Sequence, residues 1–470
     1  MTEPQIIKTS IKPILLIGSI AYGFLSLNPV ETVWSGFVLW LTLHLFWWQR
    51  TPGILLFVFL IQFIESHGVI IEANNYAENL NAMYPDTGKR TFWLSSFGYV
   101  AVIVGFHMGG ARHFKYLPKG EEIVQAAGQL SFYGIFLAVL ASQFFVSTVK
   151  FLIPFSSSLR QIETYVSGIS VALIFVLACH HSIRREKPWL FYGFFLYYFI
   201  SSFYSYFSNW KTPLIILLLA SMATIQRINF RNIAKRSPLI VAGALLILVW
   251  QSIKGEYREF LSQGQRTQGV YVSQTDALLK FSELTTDVLY QDTVVQDEVV
   301  RSTMRRVGYT EYFAAAIQKV PDEIPFEKGT LLKESAEFAL VPRILNPNKG
   351  IKDDKLKVER YTDFYFGANS FASFSLGHYC EAYIDWGPIW MHLQLILYGL
   401  YGALIMRWTL SQTNEMNPLL RWGILFVLLS SWGTFQQDMV TVLGTTVWGT
   451  TCHLLLFLPL YKKVNQFYSK

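Results

Sequence analysis

The chain has 470 residues, of which 52% are hydrophobic, 16% aromatic and only 15% charged, where soluble domains carry about 25% charged residues. With a mean hydropathy of +0.31 this composition excludes an ordinary soluble domain. The net charge of +7 reports membrane orientation and not nucleic-acid binding, because the basic residues cluster in short connections between apolar runs.

Taken in chain order, runs suited to a hydrocarbon core of about 30 Å fall at approximately 13–27, 31–48, 52–67, 91–110, 128–148, 162–181, 188–207, 212–226, 238–253, 388–406, 418–435 and 439–460. The pattern predicts an all-α polytopic integral membrane protein with about twelve transmembrane helices, within a range of ten to thirteen. Its parts are an N-terminal bundle of about nine helices (1–253), a large, mostly helical polar loop (254–385) and about three C-terminal helices (386–470). The first apolar run lacks a small-residue cleavage site and reads as a signal anchor. The three cysteines, Cys179, Cys380 and Cys452, offer neither a disulfide framework nor a thiolate metal site.

With the N-terminus inside, the basic connections at Arg50, Arg112 to Lys119, Arg184 to Lys187, Arg227 to Arg236, Arg407 to Arg421 and Lys462 to Lys470 all fall on the cytoplasmic side. Together with Lys8 and Lys12 they hold 18 of the 39 Lys and Arg residues, the bias expected of inside loops. Both termini are therefore expected in the cytoplasm. The long loop, with 16 basic and 20 acidic residues, is expected outside it.

Within the loop, Lys254 and Arg258 stand one helical turn apart as the chain leaves the ninth run. Asp292 reads as the cap of a helix carrying Arg301 and Arg305 at i,i+4, a spacing that presents two planar guanidiniums to one diphosphate. The plainer reading pairs them with Asp297 or Glu298 on a solvated face. Thr310 reads as the cap of a short helix that Pro321 ends, and Arg343 stands between two prolines in FALVPRILNPNKG. Where the chain returns to the membrane, His378, Glu381 and Asp385 lie at helical spacing, and any of them could take a proton from a hydroxyl; ion pairing to the loop arginines is the alternative. Gln62, Glu65 and His67 at the end of the third run, Lys211 in the NWKT turn and Gln436 to Asp438 suggest a polar chamber at the same level.

These features resemble the bacterial Wzy-type polymerases of oligosaccharide repeat units, relatives of the O-antigen ligases. The resemblance lies in architecture over most of the chain and in the segments NWKTPL, IKGEYREF, VPRILNP and GHYCEAYIDWGP. It implies a GT-C-like glycosyltransferase of the bacterial inner membrane that joins repeat units carried on undecaprenyl pyrophosphate at the periplasmic face. A flippase and a chain-length regulator are the implied partners besides membrane lipids.

Such chemistry needs cations for the diphosphate leaving group and an acceptor for the attacking hydroxyl's proton. The expected catalytic residues are His378, Glu381, Arg301 and Arg305, with Arg258, Arg343, Lys211, Lys254 and Asp385 binding substrate. No cofactor or metal is expected, since the loop has no DxD-like pair and Asp353-Asp354 reads as a solvated turn. An O-antigen ligase would use the same donor; a lipid-linked oligosaccharide flippase is the rival from another class, although internal repeats and matched broken helices are lacking.

Overall fold

The computed structural model describes residues 14–46, 53–117, 120–152, 160–206, 209–223, 237–265, 269–290, 297–308, 310–341, 346, 349, 354–366, 375–433 and 436–468. The helices run in chain order as α1 (Ile14–Gly23), α2 (Pro29–Phe46), α3 (Ile54–Asn75), α4 (Leu80–Met83), α5 (Gly88–Gly110), α6 (Gly120–Gln129), α7 (Phe132–Leu152), α8 (Arg160–Arg184), α9 (Pro188–Ser201), α10 (Lys211–Ala223), α11 (Ser237–Ser262), α12 (Gln274–Tyr290), α13 (Asp297–Gly308), α14 (Glu311–Lys319), α15 (Thr330–Leu340), α16 (Asp354–Tyr361), α17 (His378–Gln412), α18 (Pro418–Trp432), α19 (Met439–Thr451) and α20 (Leu458–Tyr468). The protein is all-helical among the described residues, as an all-α membrane protein should be.

Seven of these helices are long and apolar enough to cross a bilayer: α3, α5 with its continuation to Phe114, α7, α8, α11, α17, and α19 with its continuation to Leu456. Among the other five apolar runs, α9 with 14 residues and α18 with 15 reach only about 20 Å at 1.5 Å per residue, while α1 and α10 adjoin residues outside the described ones. The 18 residues of α2 carry Glu31 and His44.

The third apolar run was expected to end near residue 67, yet α3 continues for two more turns to Asn75. Its polar residues mark a protein-facing surface, not a helix end. His67 is fully buried, its Nδ1 2.8 Å from Ser66 Oγ and its Nε2 2.8 Å from Ser96 Oγ on α5. Trp34 Nε1 donates to the same Ser96 Oγ, so the buried groups satisfy one another.

Small residues bring the central helices together. A Cβ on Gly105 of α5 would stand 2.0 Å from Ile396 O, and one on Gly399 of α17 would stand 2.2 Å from Val102 O. Close backbone approach of this kind is how membrane helices gain packing where lipid supplies no hydrophobic drive. Around this crossing, Phe46 stacks on Phe59 at 3.9 Å and Phe106 meets Trp432 at 5.3 Å.

Helix α17 is broken at Gly387, whose φ of 74° and ψ of −175° leave the helical region, and Pro388 follows. Pro388 has no N–H to offer the carbonyl of Ile384 four residues back. That carbonyl instead accepts from Glu327 N at 3.0 Å, and Asp385 O accepts from Lys328 N at 2.8 Å.

Candidate functional site

Helix α13 lies against the outer turns of α3, where Gly68 and Gly308 let the two backbones touch. The docking sets Arg301 and Arg305 over one buried carboxylate. Arg301 Nε and Arg305 Nε donate to Glu72 Oε1 at 3.2 and 2.9 Å, and Arg301 Nη2 also bonds Glu78 Oε2 while its guanidinium lies 4.9 Å from the Tyr76 ring centre. The two arginines do share a helix face, but the counter-charges come from α3 and the segment after it, in place of Asp297 or Glu298. Asp292 lies outside the described residues. Thr310 precedes α14 without capping it through its side chain; its Oγ1 donates to Gly308 O at 2.8 Å.

Above this pair opens a cavity of about 590 Å³. Its walls come from the end of α11 (Gln251, Lys254), from α13 (Glu298, Arg301, Arg305, Arg306), from α14 (Glu311, Tyr312), from Asp354 of α16 and from the turn and first residues of α19 (Gln436 to Asp438, Thr441). A second set of cations gathers here. Lys254 is within electrostatic reach of Arg306, Arg258 and Lys211, and Lys211 within reach of Arg306 and Arg258. Arg258 is tied down, with Nε donating to Tyr206 O at 3.1 Å and its guanidinium 5.4 Å from the Tyr206 ring centre. Lys254 bonds Gln251 Oε1, and Lys211 lies over the Trp210 ring at 5.8 Å. Among the described residues no carboxylate forms an ion pair with Lys211, Lys254 or Arg306. Positive charge is therefore concentrated beside Arg306 without a direct ion pair, although Glu298, Glu311 and Asp354 also line the cavity, whereas Glu72 and Glu78 are paired directly with Arg301 and Arg305.

Asp438 also brings a buried carboxylate to the cavity wall. Its Oδ1 caps α19 by accepting from Thr441 N at 3.0 Å, which is why the helix starts where it does. Behind it lies Lys357 of α16, whose Nζ is 2.6 Å from Glu381 Oε1 and 3.8 Å from Asp438 Oδ2. Burial pushes the Lys357 ammonium down, but the Glu381 and Asp438 charges outweigh it and hold the pKa above the usual lysine value. Glu381 Oε2 accepts from Met439 N at 2.7 Å, so both oxygens of this buried carboxylate are engaged.

His378 and Glu381 share the first turns of α17, as their spacing predicts. His378 is wholly buried behind the wall, its backbone N–H donating to Gln437 O at 3.0 Å and its ring 4.6 Å from that of Tyr398. Asp385 stands a turn away from the cavity and accepts from Leu331 N and Leu332 N, each at 2.9 Å. It thus caps α15 from another segment, after Gly329 with φ 91° has turned the chain. Arg343 lies outside the described residues. The structure brings Lys254, Arg301 and Arg305 to the wall of one cavity, with Lys211 and Arg258 within electrostatic reach of Lys254 and Glu381 joined to Asp438 of that wall through Lys357. Sequence reasoning passed over Arg306, Lys357, Glu72 and Glu78. It placed Asp438 with Gln436 and Gln437 in a polar chamber, and Asp438 does line the cavity, but gave it no role in the chemistry.

A family model described as a domain of unknown function, DUF8712, matches residues 94–413, more than half of the chain, and the chain belongs to that family. The matched span runs from within α5 through α17 and takes in the cation cluster, Lys357 and Glu381. No curated protein matches the chain. No solved structure matches it either.

Proposed function

We propose that this member of the DUF8712 family is a membrane-embedded glycosyltransferase that uses a polyprenyl-diphosphate-linked oligosaccharide, and that it polymerises such repeat units. One observation carries the reading: a cavity of about 590 Å³ is lined both by Lys254 and Arg306, neither of them ion-paired among the described residues, and by Asp438, backed by Lys357 and Glu381. A diphosphate needs the cations and an attacking hydroxyl needs a carboxylate. In the proposed step the acceptor's hydroxyl oxygen bonds the anomeric carbon as the carbon–oxygen bond to the diphosphate breaks. The electron pair leaves on the diphosphate, held by Arg306 and Lys254, and the hydroxyl proton passes to Asp438. Glu381 acts as a positioning residue, fixing Lys357 and the first turn of α19.

The reading includes a GT-C-like arrangement of about twelve spans in a bacterial inner membrane, with both termini cytoplasmic and the loop helices periplasmic. The cavity is built by α13, α14 and the helix ends that meet them, which on this reading lie at the periplasmic face. That location favours a transferase over a transporter, whose binding site belongs near the bilayer midplane.

The test is reconstitution of the full chain in proteoliposomes with a polyprenyl-diphosphate oligosaccharide. A ladder of lengthening glycans with release of polyprenyl diphosphate is expected. Transfer to a lipid core with no ladder would identify a ligase. Movement of intact donor across the bilayer without transfer would overturn the reading in favour of a flippase.

A further inference from the structure

The far end of α17 holds a second cavity, of about 620 Å³, whose mixed apolar and basic walls include Tyr116, Arg407, Trp408, Ser411, Asn414 and Arg421. From Pro388 to Arg407 the helix climbs about 30 Å, the thickness of the hydrocarbon core. Arg407 therefore reaches the headgroup level of the leaflet opposite the larger site.

Two cations of different kinds face this cavity. Arg421 is held rigidly, Nε donating to Thr413 O at 3.1 Å, Nη1 to Tyr116 O at 3.5 Å and Nη2 to Asn414 O. These carbonyls orient the guanidinium without cancelling its charge. The carboxylate that acts on it electrostatically, Glu122, is not part of the wall. Arg407 is exposed and, among the described residues, makes no ion pair. No Asp or Glu is among the described residues lining the cavity.

An apolar track leads into it. Leu404, Arg407, Trp408 and Ser411 follow i, i+3, i+4, i+7 spacing and share one helix face. Leu393 and Leu397 extend that face toward the opposite leaflet, and they, Leu404 and Trp408 are all exposed. Leu404 belongs both to the track and to the cavity wall. A Trp at the head of such a stripe sits where indoles settle in membranes, at the polar boundary.

The geometry points to a binding site for the headgroup of an anionic phospholipid: the phosphodiester between Arg407 and Arg421, one acyl chain along Leu404, Leu397 and Leu393. The continuous apolar track selects a lipid over a free phosphate ion. The site is independent of the glycosyl-transfer reading and stands or falls without it.

The test uses the full chain in nanodiscs of phosphatidylcholine with a minority of phosphatidylglycerol, lipids released with the protein being counted by native mass spectrometry. One cationic charge near an anionic surface alters binding about five-fold, so Arg407→Gln should retain about five-fold less phosphatidylglycerol. Arg407→Lys should stay near the parent, and Arg112→Gln, a nearby exposed arginine outside the cavity, should change nothing. Each variant's melting in pure phosphatidylcholine nanodiscs shows whether it folds. Equal retention by Arg407→Gln and the parent would overturn the site, as would an equal loss in Arg112→Gln. Displacement of the lipid by excess inorganic phosphate would overturn the lipid assignment in favour of a free-anion site.

Discussion

Gly68 on α3 and Gly308 at the end of α13 meet backbone to backbone, a Cβ on Gly68 standing 2.7 Å from Gly308 Cα. The contact fixes how deeply α13 seats on α3, and hence whether Arg301 and Arg305 reach Glu72.

Gly68→Ala should therefore loosen the site without touching it. Overpacking of this kind costs about 1–3 kcal/mol, measurable as a lower melting point in detergent. Gly308→Ala, whose Cβ would meet Gly68 only at 3.3 Å, should cost less; an equal or larger loss would disprove the proposed seating.

Glu72→Gln leaves two guanidiniums without their shared carboxylate. Breaking a buried pair is severe, but Arg301 and Arg305 keep 29% and 34% of their side chains exposed. Solvent screening reduces the expected cost to about 1–3 kcal/mol. The double variant Glu72→Gln/Arg305→Gln should recover part of it, and strict additivity in denaturation would refute the coupling.

Arg306→Ala and Lys254→Ala should slow transfer while leaving the protein folded, because neither side chain has an acidic partner to abandon. Loss of a charge-assisted contact to a developing diphosphate costs about 2–4 kcal/mol, roughly 30- to 1,000-fold in rate. Arg301→Ala should instead register chiefly in melting temperature. Reversed results would return the diphosphate to the Arg301–Arg305 pair.

Asp438→Asn keeps an acceptor for Thr441 N and so preserves the start of α19, but it removes the proposed proton acceptor. Single-turnover transfer should fall by about 10²- to 10⁴-fold with melting little changed. His378→Ala separates the two candidates: the same kinetic loss there, with Asp438→Asn unaffected, would make the histidine the base.

Lys357 gives a pH signature. Its pKa is raised in the folded protein above the ordinary lysine value of about 10.5 by the Glu381 and Asp438 charges. The stabilisation is thus fully present below about 10.5 and is lost as pH climbs through the higher folded value. Stability of the parent relative to Lys357→Met should be constant from about pH 9 to about pH 10 and shrink above it; a difference that grows there would contradict the assigned ion pair.

Local periodicity was enough to reveal that Lys254 and Arg258, Arg301 and Arg305, and His378 and Glu381 share helix faces, because i,i+3 and i,i+4 neighbours depend only on helical geometry. It could not reveal their partners. Glu72 is 229 residues from Arg301 and lies in a stretch whose polarity imitates a helix end. Lys357, in the charged run DDKLK, carries no mark that it will be buried against Glu381. Asp385 had the composition of a proton-handling residue, yet the orphan N–H groups of α15 claim both its oxygens, a need visible only once that helix is placed.

The break at Gly387 has a mechanical consequence. A continuous helix has no spare carbonyls along its length, so nothing could be fastened to its backbone there. By interrupting the ladder, Pro388 frees Ile384 O for Glu327 N, and the polar segment is riveted to the rod at that joint. A tilt or rotation of the short arm carrying His378, Glu381 and Asp385 must drag the head of α15 with it. The long membrane arm below can flex without disturbing that unit.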